Sequence, residues 1–163
     1  MSSFDRRTLL LMPLALAACG FEPVYAPGGA GSALFGRVAV SEPNTVTSYL
    51  LVEDLEQKLG RSATSGSEYN LDVSVSTSTV AAAITTTNET NRLTINGTAN
   101  YALRSNATGQ ILASGTVTDF VGYSAAGSTV STLASERDAT ERLMVLLSDQ
   151  IITRLYATPG LSA

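Results

Sequence analysis

From Tyr69 onward the chain alternates. Tyr69, Leu71, Val73 and Val75 take every second place against Asn70, Asp72, Ser74 and Ser76. A period of two sends apolar side chains to one face of an extended chain and polar ones to the other, so this segment is predicted to be a half-buried strand. The alternation returns with Leu93, Ile95, Gly97, Ala99, Tyr101 and Leu103 against Thr94, Asn96, Thr98, Asn100 and Arg104. It returns again from Ile111 to Tyr123, after the tight polar turn Ser105-Asn106-Ala107-Thr108-Gly109. Three such strands form an antiparallel meander with one packed and one polar face. The link Thr77 to Asn91 reads in two ways. It is a long loop, or both strands run on to a turn at Thr87-Asn88-Glu89; hairpin loops of two to five residues are usual, which favours the second.

Two segments change period. Ser48, Val52, Leu55 and Leu59 recur at helical spacing with Leu51 beside them, while Glu53, Glu56, Gln57 and Lys58 line the opposite side. Asn44 or Thr45 is placed to cap this helix and Gly60 to end it. The second helix is expected from about Ser131 or Ser135 to Ala157. Its stripe is Ala139, Leu143, Leu146, Leu147, Ile151 and Leu155, and Ser135-Glu136-Arg137-Asp138 fits a capping box. Arg137-Glu141 and Asp138-Arg142 are i,i+4 pairs on its wet side. Leu34 to Val40 reads as a short opening strand stopped by Pro43-Asn44. The order is β-α-β-β-β-α. The predicted fold is α+β in two layers: a four-stranded, largely antiparallel sheet with two amphipathic helices on one face. Where the first strand joins the sheet stays open.

The start of the chain has another character. Arg6 and Arg7 precede an apolar run, Leu9 to Ala18, of about ten residues, where a membrane-spanning helix needs about twenty. This is a secretory signal rather than part of the fold. It ends Leu16-Ala17-Ala18-Cys19, similar to a bacterial lipoprotein signal in which the cysteine is lipidated and becomes the new N-terminus. Asp5-Arg6-Arg7-Thr8-Leu9-Leu10 also resembles a twin-arginine signal, so the export route stays open. Aspartate after the lipidated cysteine goes with inner-membrane retention; Gly20 stands there, which points to the outer membrane. The expected organisation is a signal peptide over 1–18, a lipidated Cys19 with a flexible tether over 19–33, one α+β domain over 34–158, and a tail over 159–163.

Composition narrows the function. The 163 residues include no histidine and one cysteine. That removes Ser-His-Asp triads, Cys-His pairs, His-ligated zinc and an intramolecular disulfide. Removing the signal takes two of ten basic and one of fourteen acidic residues, leaving eight and thirteen, a net charge of −5. A nucleic-acid surface needs many phosphate-neutralising cations, so that class is excluded. Asp72, Asp119 and Asp149 are separated carboxylates and nothing in the pattern brings two together for glycosidic chemistry. No enzyme activity, metal or cofactor is expected.

The chain resembles a known family. Cys19-Gly20-Phe21-Glu22-Pro23-Val24-Tyr25 is similar to the lipidated start of the LPS-assembly lipoproteins of the LptE family, in the alphaproteobacterial style. Ala134-Ser135-Glu136-Arg137-Asp138-Ala139, Glu141-Arg142-Leu143, Asp149-Gln150-Ile151 and Arg154-Leu155 extend the likeness through the last helix, and the predicted element order agrees with it. The resemblance implies a lipid-anchored protein of the outer membrane, on its periplasmic side. It implies a plug within the large outer-membrane β-barrel LptD that assists barrel assembly and lipopolysaccharide insertion into the outer leaflet. It also implies contact with lipopolysaccharide and no bond-breaking step. The alternative is a periplasm-facing auxiliary lipoprotein of another, ABC-type lipid-transport system. A plug needs a sheet face wetted by a polar lumen; a lipid carrier needs a continuous apolar groove.

The candidate site residues are Cys19 for lipidation, and six residues for contact with partner or lipopolysaccharide. Val80 and Ile84 are the apolar part of the hairpin end. Arg92, beside that end, and Arg104, at the far end of the same strand, carry the forked guanidinium that suits phosphate. Phe21 and Tyr25 follow the anchor.

Overall fold

The computed structural model describes residues 29–60, 67–84 and 90–161, the side chains of 82–91 excepted. The elements are α1 (Ala30–Leu34), β1 (Val38–Val40), α2 (Val46–Leu59), β2 (Tyr69–Ile84), β3 (Thr90–Ser105), β4 (Ile111–Ser124) and α3 (Thr129–Tyr156). The sheet order is β1-β2-β3-β4. β1 pairs with β2 in parallel, Val38 to Tyr69 through Val40 to Leu71, and the other pairs are antiparallel. The α+β fold, the two layers and the largely antiparallel sheet are as the sequence predicts, and the sheet's one parallel pair settles where the first strand joins.

Three boundaries differ. The predicted strand from Leu34 is shorter, because Leu34 ends a helical turn instead. Ala30, Gly31, Ala33 and Leu34 of α1 are buried, so the packed domain reaches into the expected tether. The chain then turns at Gly36, with φ +73° and its N–H bonded to the Leu59 carbonyl. Secondly, α3 begins at Thr129, behind a Ser128 cap whose Oγ accepts from the Ser131 N–H. Ser135 therefore lies inside the helix, its hydroxyl donating to the Ser131 carbonyl at 3.0 Å. Thirdly, Leu161 of the expected tail is buried in the core.

The Thr45 cap of α2 is reciprocal. Thr45 Oγ1 accepts from Ser48 N at 3.0 Å, and Ser48 Oγ accepts from Thr45 N at 2.9 Å. Serine does here what glutamate does in the usual box. Gly60 closes the helix at φ +68°. A Cβ there would also lie 2.7 Å from the tip of the half-exposed Phe35 ring, which would have to swing aside.

The core lies between the sheet and its helices. Leu71, Leu103, Ala99 and Val117 meet Leu51, Leu55, Leu143, Leu147 and Ile151, all fully buried. α3 crosses β3 and β4, and Gly97 allows it close. A Cβ at that position would stand 3.0 Å from Leu143 and Leu147. Leu146, expected in the stripe, is 40% exposed; Met144 and Ile152 take the buried places.

Candidate functional site

β2 and β3 pair continuously from Tyr69–Ser105 to Ala81–Leu93, and after a bulge to Ile84–Thr90. The link is thus a long hairpin of two 16-residue strands, each roughly 50 Å by the strand rise. Its turn lies outside the described residues.

The helices cover one face of the sheet. The other carries Ser74, Ser76 and Ser78 of β2, Thr94, Asn96, Thr98 and Asn100 of β3, and Thr116 and Thr118 of β4, in register across the strands. No described element covers this face, and its central rows carry no charge. Thr116 Oγ1 donates there to Asn100 Oδ1 at 2.7 Å. Phe120 stands among them, 67% exposed and opposite Asn96. The sequence reading missed it; the signal was an aromatic at an even-numbered, polar-face position of an alternating strand.

The predicted contact residues fall apart into separate places. Val80 is 49% exposed, opposite Thr94. The Ile84 backbone closes β2, paired with Thr90. Arg92 is exposed near the hairpin end, between Ala83 and Ser124. Arg104 lies twelve residues away at the other end of β3, roughly 40 Å along the strand, and its Nε bonds Asp72 at 3.1 Å. The two arginines therefore cannot grip one small anion. Cys19, Phe21 and Tyr25 lie outside the described residues.

One polar cluster joins the two long helices. Lys58 Nζ lies 2.6 Å from both Asp54 and Asp149 and 2.7 Å from the hydroxyl of Ser148, which is fully buried and donates to Asp54. Burial would lower the lysine's pKa, but hydrogen bonds and charge from Asp149 and Asp54 outweigh it and raise it. A serine–lysine pair needs a neutral lysine to act as base. This lysine is held protonated, so the cluster works as a clamp between α2 and α3. Tyr123 is also raised, by burial and by the charge of Glu136. Asp72, Asp119 and Asp149 are each engaged separately, with Arg104, Gln150 and Lys58.

A family model described as LptE, lipopolysaccharide-assembly, matches residues 35–155. The chain belongs to the LptE family. Solved structures agree in fold with this LptE-family protein. A Caulobacter crescentus protein described as a lipoprotein superposes with a TM-score of 0.66 at 20% identity, over 81% of this chain and 96% of its own. Rare lipoprotein B from Shewanella oneidensis gives 0.55 at 11%, over 74% and 92%. A minor lipoprotein from Acinetobacter baumannii gives 0.55 at 15%, over 76% and 92%. Among curated proteins none gives a significant match. No helix among the described residues is long and apolar enough to cross a membrane. Membership makes the protein part of lipopolysaccharide assembly in the cell envelope.

Proposed function

We propose that this LptE-family protein is lipidated on Cys19 and held at the periplasmic side of the outer membrane. There it plugs the β-barrel LptD and takes part in inserting lipopolysaccharide into the outer leaflet, with no catalytic step of its own. The observation that carries the reading beyond the family is the uncovered sheet face. A face of serine, threonine and asparagine is stable against a wet, polar lumen. It would be a poor floor for acyl chains, and α2 and α3 fill the apolar face over β3, β4 and the foot of β2, leaving exposed there only the small side chains of Thr77, Thr79 and Ala81. That favours the plug over the auxiliary lipid carrier. Val80, Ile84, Arg92, Arg104, Phe21 and Tyr25 are the proposed contacts with barrel or lipopolysaccharide. Because Arg104 already faces Asp72, Arg92 is the better placed for a phosphate.

Affinity purification of the full-length protein from detergent-solubilised outer membrane should bring one large β-barrel in stoichiometric amount. Recovery without a barrel would overturn the plug reading. Cys19→Ser should leave a protein that no longer partitions with membranes; a lipid-modified, membrane-bound variant would remove Cys19 as the anchor.

A further inference from the structure

The sheet has two outer edges, and the protein treats them differently. An exposed strand edge is a row of unpaired N–H and C=O groups that can template another strand, and proteins usually blunt it. On β4 two side chains of α3 do so. Arg154 Nη1 donates to the Thr116 carbonyl at 2.7 Å, and Gln150 Nε2 to the Thr118 carbonyl at 3.3 Å. Gln150 also holds Asp119 at 2.7 Å.

Among the described residues, the outer edge of β2 is covered only at its foot. Tyr69 N bonds Arg37 O, Leu71 O accepts from Ser41 N, and Val73 N bonds Ser41 Oγ at 3.1 Å. These groups belong to odd-numbered residues, since the backbone of every second strand residue points to the same side. The next outward groups are those of Val75, Thr77, Thr79 and Ala81. β1 has already ended at Val40 and the chain turns off through Pro43 into α2. Among the described residues nothing pairs with this stretch. Among the described residues its inner face is also bare, because α3 lies over β3 and β4: Thr77 and Thr79 point inward and are still exposed. Ser74 to Ala81 contains no charge, no proline and no glycine, and half its residues are Val or Thr.

We propose that the β2 edge from Val75 to Ala81 receives an added β-strand, in the lane that β1 leaves, from an extended and uncharged segment of the barrel partner. The identity of that partner rests on the barrel-subunit reading; the geometry of the edge does not. An uncharged strand is required because the edge offers main-chain bonds and small neutral side chains and nothing to balance a buried charge. The continuing strand would extend the row that Val38-Ala39-Val40 begins.

Thr77→Pro removes an N–H that no described group accepts and leaves the bonds of β2 to β3, so the isolated domain should stay folded by circular dichroism. Its recovery of barrel from detergent extract should fall about tenfold or more. Should that variant unfold, Thr77→Lys with Thr79→Lys charges the same edge without touching the backbone. In parallel, hydrogen exchange of the Val75–Ala81 segment should be fast in the isolated wild type and slow by about tenfold or more in the complex taken from the membrane. Barrel recovered with no gain in protection, or a folded edge variant that assembles at wild-type level, overturns the added strand and leaves the plug standing. Protection gained with no barrel present supports the strand and overturns the plug. Neither barrel nor protection overturns both. Slow exchange already in the isolated protein would mean that the chain itself, or a second copy, fills the lane, which also overturns the proposal.

Discussion

Lys58 is the only lysine of the chain and it is spent on structure. Its ammonium is shared by Asp54, Asp149 and the hydroxyl of buried Ser148. Lys58→Met should destabilise the fold by about 1–3 kcal/mol at neutral pH, since it strips a charged donor from partly buried acceptors. The lysine's pKa is raised on folding, so the stabilisation is fully present below the unfolded value of 10.5 and is lost as pH rises through the folded one. Denaturant unfolding of both proteins should therefore show the same gap at pH 7 and pH 9, closing at more alkaline pH. A gap that already shrinks between pH 7 and pH 9 would remove the lysine as its source. Leu147 is fully buried against the bare backbone of Gly97. Leu147→Ala should cost about 2–5 kcal/mol, and Gly97→Val about 1–3 kcal/mol by forcing the two leucines apart. A near-zero effect at both positions would contradict the close approach of α3 to β3.

The long helix shows how an element chooses its ends. Ser135 has the spacing of a cap, yet the helix passes through it and starts after Ser128, whose neighbour Gly127 sits at φ +116°. A glycine in that conformation ends helical geometry more firmly than a serine begins it. Ser128→Ala should lower stability by about 1 kcal/mol. Ser135→Ala should stay within about 0.5 kcal/mol of wild type. Thermal unfolding of the pair distinguishes the two starts, and the reverse order of effects would restore the later one. The first turns of α3 bury little, so Val130 and Leu133 remain exposed. The helix outruns the layer it packs on, alongside the open half of the hairpin.

For the molecule as a whole, one face of the sheet makes the fold and no described element covers the other. Asn96 and Thr118 are both exposed on the uncovered face. Asn96→Lys with Thr118→Lys should leave stability within about 0.5 kcal/mol of wild type, because the change touches no packed group. If the face lies against a barrel lumen, the same variant should lose recovery of the barrel. Unchanged recovery would confine the contact to the hairpin end and the β2 edge. Measuring unfolding and recovery on one variant separates damage to the fold from damage to the contact.

Periodicity alone determined the three long strands, the two long helices and nearly all of their buried positions. Strict alternation cannot be satisfied by a helix, and the spacing of Val52, Leu55 and Leu59 cannot be satisfied by a strand, so the two-layer fold was legible. The likeness at Cys19 to Tyr25 and along the last helix was legible too, and it led to the family. Other features needed the third dimension, because they depend on residues far apart in the chain. The side of the sheet that β1 joins rests on Ser41 meeting Leu71. The clamp brings Lys58 to Ser148 across ninety positions. Ala30 to Ala33 looked like a tether because small residues carry no periodic signal, yet Ala30, Gly31 and Ala33 are buried in the fold. The two edges are the clearest case. Nothing local distinguishes β2 from β4, since both are long and alternating and each carries a single aspartate. Gln150 and Arg154 reach the β4 backbone only because α3 crosses that side, and among the described residues the β2 edge is uncovered beyond Val73 because β1 ends at Val40.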